Sequence, residues 1–376
     1  MTHDPDLEDS PASDDGVPRL PRGEVVRLSV DCTIDAQEYA RIWIVNVLCT
    51  VLTLGVYLPW ARVRTQRYFL RRTFVGGDAF DYHATPTSLL FRYGLALCLM
   101  GGVAGAWVGS PLSGLLALSL ALIMMPLLQQ VGFTHRMAHT SWAGRRLSFD
   151  GQFTGGIYSA TLLPLVGVTA VAWLILAAET FQRPWLWAAA GFLAGVCLLG
   201  MPMFYWATFQ YRQQRVRLGP LRLSWKASYL SMLMLWVRIV AWAVLVSMLV
   251  VGVGAVLLAG LLLTRWPSQH GWWLGLSCVL AVAVLVVVLP YVQARMQNLV
   301  WSNTGNRALR FHSKLSVSGY VSLQVRHALL LVLTLGLYWP WAVVASRRMR
   351  TQALEVSARV DVEVLKAHWP KGPMSA

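Results

Sequence analysis

Acidic residues are nearly missing from the middle of this chain: between Tyr39 and Leu354 the only carboxylates are Asp78, Asp81, Asp150 and Glu179. None sits at the centre of an apolar run, so a carboxylate relay for protons or sodium, which needs ionisable groups inside a membrane, has little to work with. Charge of either sign is scarce too, at 13% of residues against about 25% in a soluble domain. The five cysteines, Cys32, Cys49, Cys98, Cys197 and Cys278, stand far apart and form neither a disulfide framework nor a metal pattern. No glycine-rich phosphate loop follows a strand, and no Ser or Cys nucleophile comes with a matching His and carboxylate. An enzyme is therefore the least supported class, and no cofactor is expected.

What is abundant is apolar surface, 56% of residues. A helix needs ~20 apolar residues to cross ~30 Å of hydrocarbon. Six runs meet that length, at 87–109, 112–134, 157–178, 185–209, 239–263 and 271–294, and two shorter ones lie at 41–58 and 328–341. Residues 1–24 are acidic and proline-containing with no basic start before a short apolar core, which argues against a cleavable signal peptide and for a disordered tail. A single membrane domain is expected over 25–364, followed by a tail at 365–376.

The formal charge of +15 does not point to nucleic acid, because no soluble domain is large enough to carry a basic, aromatic-studded face. Basic residues beside apolar spans set topology and meet anionic headgroups. Between the six runs, only Arg183 and Arg265 fall on one side, which assigns the other side, with the remaining basic loops, to the cytoplasm. That asymmetry is most complete when neither short run crosses. Both are then re-entrant or interfacial, and both termini are cytoplasmic. The stretch 228–263 exceeds one span, so Arg238 is expected to mark membrane entry, with the preceding residues along the interface where Trp225 and Trp236 are at home.

The segment VLTLGVYLPWARVRTQR (51–67) recurs as VLTLGLYWPWAVVASRR (332–348), identical at eleven of seventeen positions. The register extends upstream, giving related units at 25–72 and 306–353, with weaker copies between. Each membrane unit is followed by a basic stretch and a short alternating segment: VRLSV (26–30), AFDYH (79–83), RLSFD (146–150), RLSWK (222–226), ALRFH (308–312) and ARVDV (358–362). Alternation of period two marks strands. Six such strands on one side of the membrane would pair into a sheet or several hairpins; the alternative is irregular interfacial loops.

The pattern TLGxYxPWAxVRxxRYF (53–69), with TFVGGDAFDYHATP (73–86), HTSWAGRRLSFDG (139–151), NTGNRALRFHSKLS (303–316) and TLGLYWPWA (334–342), resembles the YjgN-like family of bacterial inner-membrane proteins. The likeness covers nearly the whole chain beyond the acidic tail. It departs at Arg72, where the family tends to have Asn, and in the degenerate QRVRLGPLRLSWK. The resemblance implies a multi-pass inner-membrane protein and brings no catalytic residues, cofactor or substrate.

Several residues carry candidate roles beside blander ones. Gly55 and Gly336 permit a break, Pro59 and Pro340 stop or kink a helix, and Tyr57, Trp60, Tyr338 and Trp341 suit the headgroup layer; an interface anchor is the preferred reading. Arg62, Arg64, Arg67, Arg71 and Arg72, with Arg212, Arg215 and Arg217, are candidate contacts to anionic lipid, against topology fixing alone. His135 and His139 have metal-ligand spacing without a third ligand, and Glu179 and Arg183 would pair if their helix continued past Thr180. Gly101, Gly105 and Gly109, and Gly191 and Gly195, are expected to let helices pack within the chain, with homodimerisation the minority reading.

The expected fold is therefore an all-α polytopic membrane protein of about six full spans, two short re-entrant or additional spans and short cytoplasmic strands. Two functional classes stay open. One is a membrane-organising or accessory protein engaging anionic lipid or a membrane-protein partner; the other is a small-solute transporter or channel built from internal repeats.

Overall fold

The computed structural model describes residues 25–151, 155–262 and 271–369; Arg265 and most of both tails lie outside them. The chain begins with a strand broken at Ser29, β1 (Val26–Leu28) and β2 (Val30–Cys32). The first helical hairpin is α1 (Ala36–Leu52) and α2 (Leu58–Arg71), which leads into β3 (Thr73–Val75) and β4 (Asp78–Tyr82). The second is α3 (Pro86–Gly109) and α4 (Pro111–Ala138), followed by β5 (Thr140–Trp142), β6 (Arg145–Arg146) and β7 (Ser148–Phe149). The third, α5 (Gly155–Phe181) and α6 (Pro184–Gln214), precedes β8 (Val216–Leu218), β9 (Leu221–Arg222) and β10 (Ser224–Trp225). The fourth, α7 (Tyr229–Leu262) and α8 (Gly271–Ser302), precedes β11 (Thr304–Gly305) and β12 (Leu309–Ser313). The fifth is α9 (Val317–Leu333) and α10 (Trp339–Gln352), after which come β13 (Leu354–Ala358) and a short α11 (Val362–His368).

The strands flanking each hairpin pair with one another, antiparallel: β2 with β3, β4 with β5, β7 with β8, β10 with β11, and β12 with β13. Every hairpin therefore leaves and returns to the same strand layer. Tight turns join β3 to β4, β5 to β6, β8 to β9 and β11 to β12, and β1 pairs with β13. The resulting three sheets share the strands interrupted at Ser29, Leu147 and Leu223, so pairing runs full circle. Among the described residues, closure leaves the ring no free end to seek a partner. The helices close a ring as well: each packs on the next in sequence, and α10 packs on α1.

Six helices are long and apolar enough to cross a membrane, and they form the second, third and fourth hairpins. In the first and fifth, arms of 17 and 14 residues reach only ~25 and ~21 Å. Their chain turns back at 53–57 and 334–338, the shape a re-entrant segment requires.

The structure changes several expectations. Residues from Tyr229 are not laid along an interface but belong to one continuous α7, because Met232, Leu235 and Ile239 are buried against Trp206, Tyr291 and Met296. Trp225 is buried in the same cluster. Of the alternating ARVDV only Ala358 belongs to β13, as its last residue; β13 lies mostly earlier, and the Asp361 carboxylate accepts from the Glu363 amide at 2.8 Å to start α11. A Cβ added at Gly101, Gly105, Gly191 or Gly195 meets nothing within 4 Å, and one at Gly109 meets only Ser113 Oγ at 3.7 Å, so among the described residues these stripes hold no close helix–helix contact. In a ring each helix has only two helical neighbours, which leaves other faces open. Glu179 and Arg183 do not pair, since α5 ends at Phe181 and Gln182 takes φ 52°.

Candidate functional site

The two TLGxY segments build the same turn. The Gly55 and Gly336 amides donate back to Thr50 and Leu331 carbonyls at 2.8 Å each, with φ of 92° and 89° that favour glycine. Thr53 Oγ accepts from the Tyr57 amide at 3.0 Å, and Thr334 Oγ from the Tyr338 amide at 3.1 Å, so each threonine ties the end of the incoming helix to the residue before the outgoing one. Pro59 and Pro340 then occupy first-turn positions where no backbone donor is needed. The aromatic pairs stack alike, Tyr57 on Trp60 at 6.2 Å and Tyr338 on Trp341 at 6.0 Å between centroids. Leu54 and Leu335 adopt φ of 49°, a left-handed conformation that costs a leucine ~1 kcal/mol or more. Both are almost wholly exposed, at 94% and 93%. An apolar side chain strained into an exposed position makes physical sense where its surroundings are apolar.

The arginines grouped by the sequence reading separate in space. Arg71 pairs with Asp81 at 2.8 Å, Arg72 with Glu38 at 2.9 Å, and Arg217 with Asp150. Arg67 donates to the Tyr82 carbonyl at 3.1 Å, and Arg215 to the Asp150 carbonyl at 2.9 Å. Arg64 lies with Tyr57, Trp60 and Arg71 along a groove of about 460 Å³. Burial pushes the Tyr68 phenol up to about 12, with the Glu38 carboxylate acting the same way against the Asp35 backbone contact. Burial alone would raise Asp81, but Arg71 and the Tyr82 amide outweigh it and hold the carboxyl below its ordinary value. The Arg71–Asp81 contribution is thus present above the ordinary carboxylate pKa and lost as pH falls through the lowered one. Hydrogen exchange of the β3–β4 amides should accelerate in that acid range, and Asp81→Asn should abolish the step.

The other face of α2 carries Arg62, Gln66 and Phe69. Arg347, on α10, sits 3.9 Å over the Phe69 ring, although α1 stands between those helices in the ring. Arg212, on α6, sits 4.2 Å over Phe133 of α4 across α5. Contacts that skip a helix form on the concave side, so these guanidiniums point inward. Arg136 of α4 acts electrostatically on both Arg212 and Arg347, from elements far apart around the ring. It lines a cavity of about 240 Å³ with Arg62, Arg92, Tyr82, Tyr93 and His135. Arg62 donates to the Tyr93 hydroxyl at 2.7 Å, and the buried Tyr82 phenol feels Arg136, Arg62 and Arg92 together. Arg62, Arg136 and Arg347 are exposed, so they border open space. The His135 and His139 rings lie 3.9 Å apart, tilted by 40°, and among the described residues no group of three or more His, Cys, Asp or Glu side chains is placed to hold a metal.

Of the sequence candidates, Arg62 and Arg212 belong to this chamber; Arg64 lines the outer groove with Arg67, Arg71 and Arg72, which also have partners within the protein, and Arg215 and Arg217 are held by Asp150. Arg92, Arg136 and Arg347 were not singled out. The available signal was an arginine within or at the end of an apolar run with no carboxylate near it in sequence.

A ring of helical hairpins, three of them long and apolar enough to cross a bilayer twice, defines a multi-pass α-helical membrane protein. The chain belongs to the family described as "Bacterial protein of unknown function (DUF898)", whose model matches residues 28–373. It is 22% identical over 348 residues to the inner membrane protein YjgN of Salmonella typhimurium (strain LT2), covering 86% of this chain and 87% of that protein. With the inner membrane protein YjgN of Escherichia coli (strain K12) it shares 31% identity over 134 residues, 35% of this chain and 33% of that one. No solved structure matches.

Proposed function

We propose that this protein is a membrane-organising component of the bacterial inner membrane that engages anionic phospholipid through the arginine-lined groove along α2, with the strand ring and both tails in the cytoplasm. The observation that carries this reading is the pair of short hairpins, adjacent in the ring, whose tips expose Leu54 and Leu335, with an arginine-lined groove running along α2 of the first. Tips that stop inside the hydrocarbon displace lipid from one leaflet, and arginines at headgroup level hold the lipids that border the defect. Each such charge contributes ~1 kcal/mol. Small-solute transport, the second reading, draws on the open arginine chamber; α11, which fills the strand ring, stands against it.

The test compares unfolding midpoints in nanodiscs of phosphatidylcholine alone and with phosphatidylglycerol. Phosphatidylglycerol should raise the midpoint, less so at high salt, and Arg64→Gln should lose about one charge's share of the gain. Equal stability in the two lipids rejects the proposal.

A further inference from the structure

Arginine inside a membrane protein needs a counter-charge, and among the described residues no carboxylate is placed to give one to this interior. Every carboxylate between Glu38 and Glu355 is committed elsewhere: Glu38 to Arg72, Asp78 to Lys366, Asp81 to Arg71, Asp150 to Arg217 and Glu355 to Lys314, while Glu179 lies at the opposite end of its helix. Arg62, Arg92, Arg136, Arg212 and Arg347 have no ion pair with any of them. Their hydrogen-bond and ring partners are neutral, Tyr93 for Arg62, Phe133 for Arg212 and Phe69 for Arg347. Like charges gathered with no carboxylate among them repel, so the arrangement is costly unless something anionic enters.

The geometry limits what that is. A guanidinium presents a planar fork that matches phosphate oxygens two at a time, and the Tyr82 and Tyr93 hydroxyls add donors beside it. The cavity of about 240 Å³ falls below the ~300–1,000 Å³ typical of sites for larger organic ligands. Leu89, Ala96 and Gly132 give it an apolar wall. We propose that the chamber inside the helix ring is a binding site for a phosphate-class oxyanion, free or as a lipid headgroup, held by Arg136 with Arg62 and Arg92 and steered by Arg212 and Arg347. The site stands apart from the outer groove, and neither proposal depends on the other.

The full chain in phosphatidylcholine nanodiscs, titrated with inorganic phosphate by calorimetry, should bind it saturably. Arg136→Gln should weaken binding about ten- to a hundredfold, whereas Lys314→Gln, in the exposed pair with Glu355, should not change it. A parallel preparation carrying phosphatidylglycerol is read by native mass spectrometry. Retention of that lipid by the wild type and not by Arg136→Gln, with phosphate excluded while it is bound, identifies the headgroup as the occupant. Phosphate binding indifferent to phosphatidylglycerol identifies the free anion. Arg136→Gln should also raise the unfolding midpoint of the anion-free protein, because it relieves repulsion; an arginine with a purely structural role would lower it. Binding of neither probe, or binding unchanged by Arg136→Gln, overturns the proposal.

Discussion

A chain ending at Asp361 will not assemble its strand ring. The strands are two to five residues long, and pieces of that size do not hold together without a filled interior. Here the filling is α11 and the tryptophan after it. Leu365 is 2% exposed among Leu221, Leu309 and Ala358, and Trp369 is 5% exposed among Trp142, Leu147, Phe80 and Leu218. These partners come from β4, β5, β8, β9, β12 and β13, so one short helix touches strands around the whole circle. Trp369 is fitted closely enough that a Cβ added to Gly219 would lie 2.5 Å from its ring. Arg145 fixes the end of the helix by donating to the Lys366 and Trp369 carbonyls at 2.7 Å each. Trp369→Ala should cost ~3–5 kcal/mol and Leu365→Ala ~2–5 kcal/mol, and the truncation more than either. Unfolding midpoints and tryptic cleavage in the turns at Arg145 and Arg222 would report the loss; a truncated chain as stable and resistant as the full one would make α11 a mere appendage.

The same helix supplies a pH signature. Burial alone would lower the Lys366 amine, but Asp78 at 2.5 Å and Glu363 at 2.7 Å outweigh it and raise its pKa. Its contribution is complete below the ordinary lysine value, ~10.4, and disappears as pH rises through the higher folded one. Alkali should therefore loosen the ring before it disturbs the membrane hairpins.

How much of this was legible in the sequence depended on whether the signal was local. The six long helices announced themselves by length, and the repeated TLGxY turn by its special residues, Thr53, Gly55 and Pro59 with their counterparts. The alternating strands were found at five of six places, including Leu309–Ser313 and Asp78–Tyr82. The sixth failed because Val360 and Val362 alternate in sequence while Asp361 caps a helix between them. Two-residue strands such as Thr304–Gly305 carry no pattern to read. Ring closure was invisible for another reason: it rests on Val26 meeting Ala358, a contact between the two ends of the described chain. The chamber was missed likewise, since Arg136, Arg212 and Arg347 become neighbours only when the helices close their circle.

Replacing Leu54 and Leu335 together by aspartate should be among the most damaging surface changes in the protein, although no contact within the chain explains why. Both positions take left-handed backbone at φ 49°, where aspartate is more at ease than leucine. Both side chains are more than nine-tenths exposed. In water the double variant would therefore be neutral or slightly stabilised. In hydrocarbon each aspartate costs ~2.5–3.5 kcal/mol and each leucine lost forfeits a further ~0.3–0.6, so the pair would cost ~6–8 kcal/mol at full depth. The two settings predict opposite signs, which makes the measurement decisive. The level of folded protein in the inner membrane and its unfolding midpoint in nanodiscs should both fall steeply, and Leu54→Met with Leu335→Met should leave them unchanged. A double aspartate variant as stable as the parent would place these tips in water, and the two short hairpins could then no longer be wedges in the bilayer.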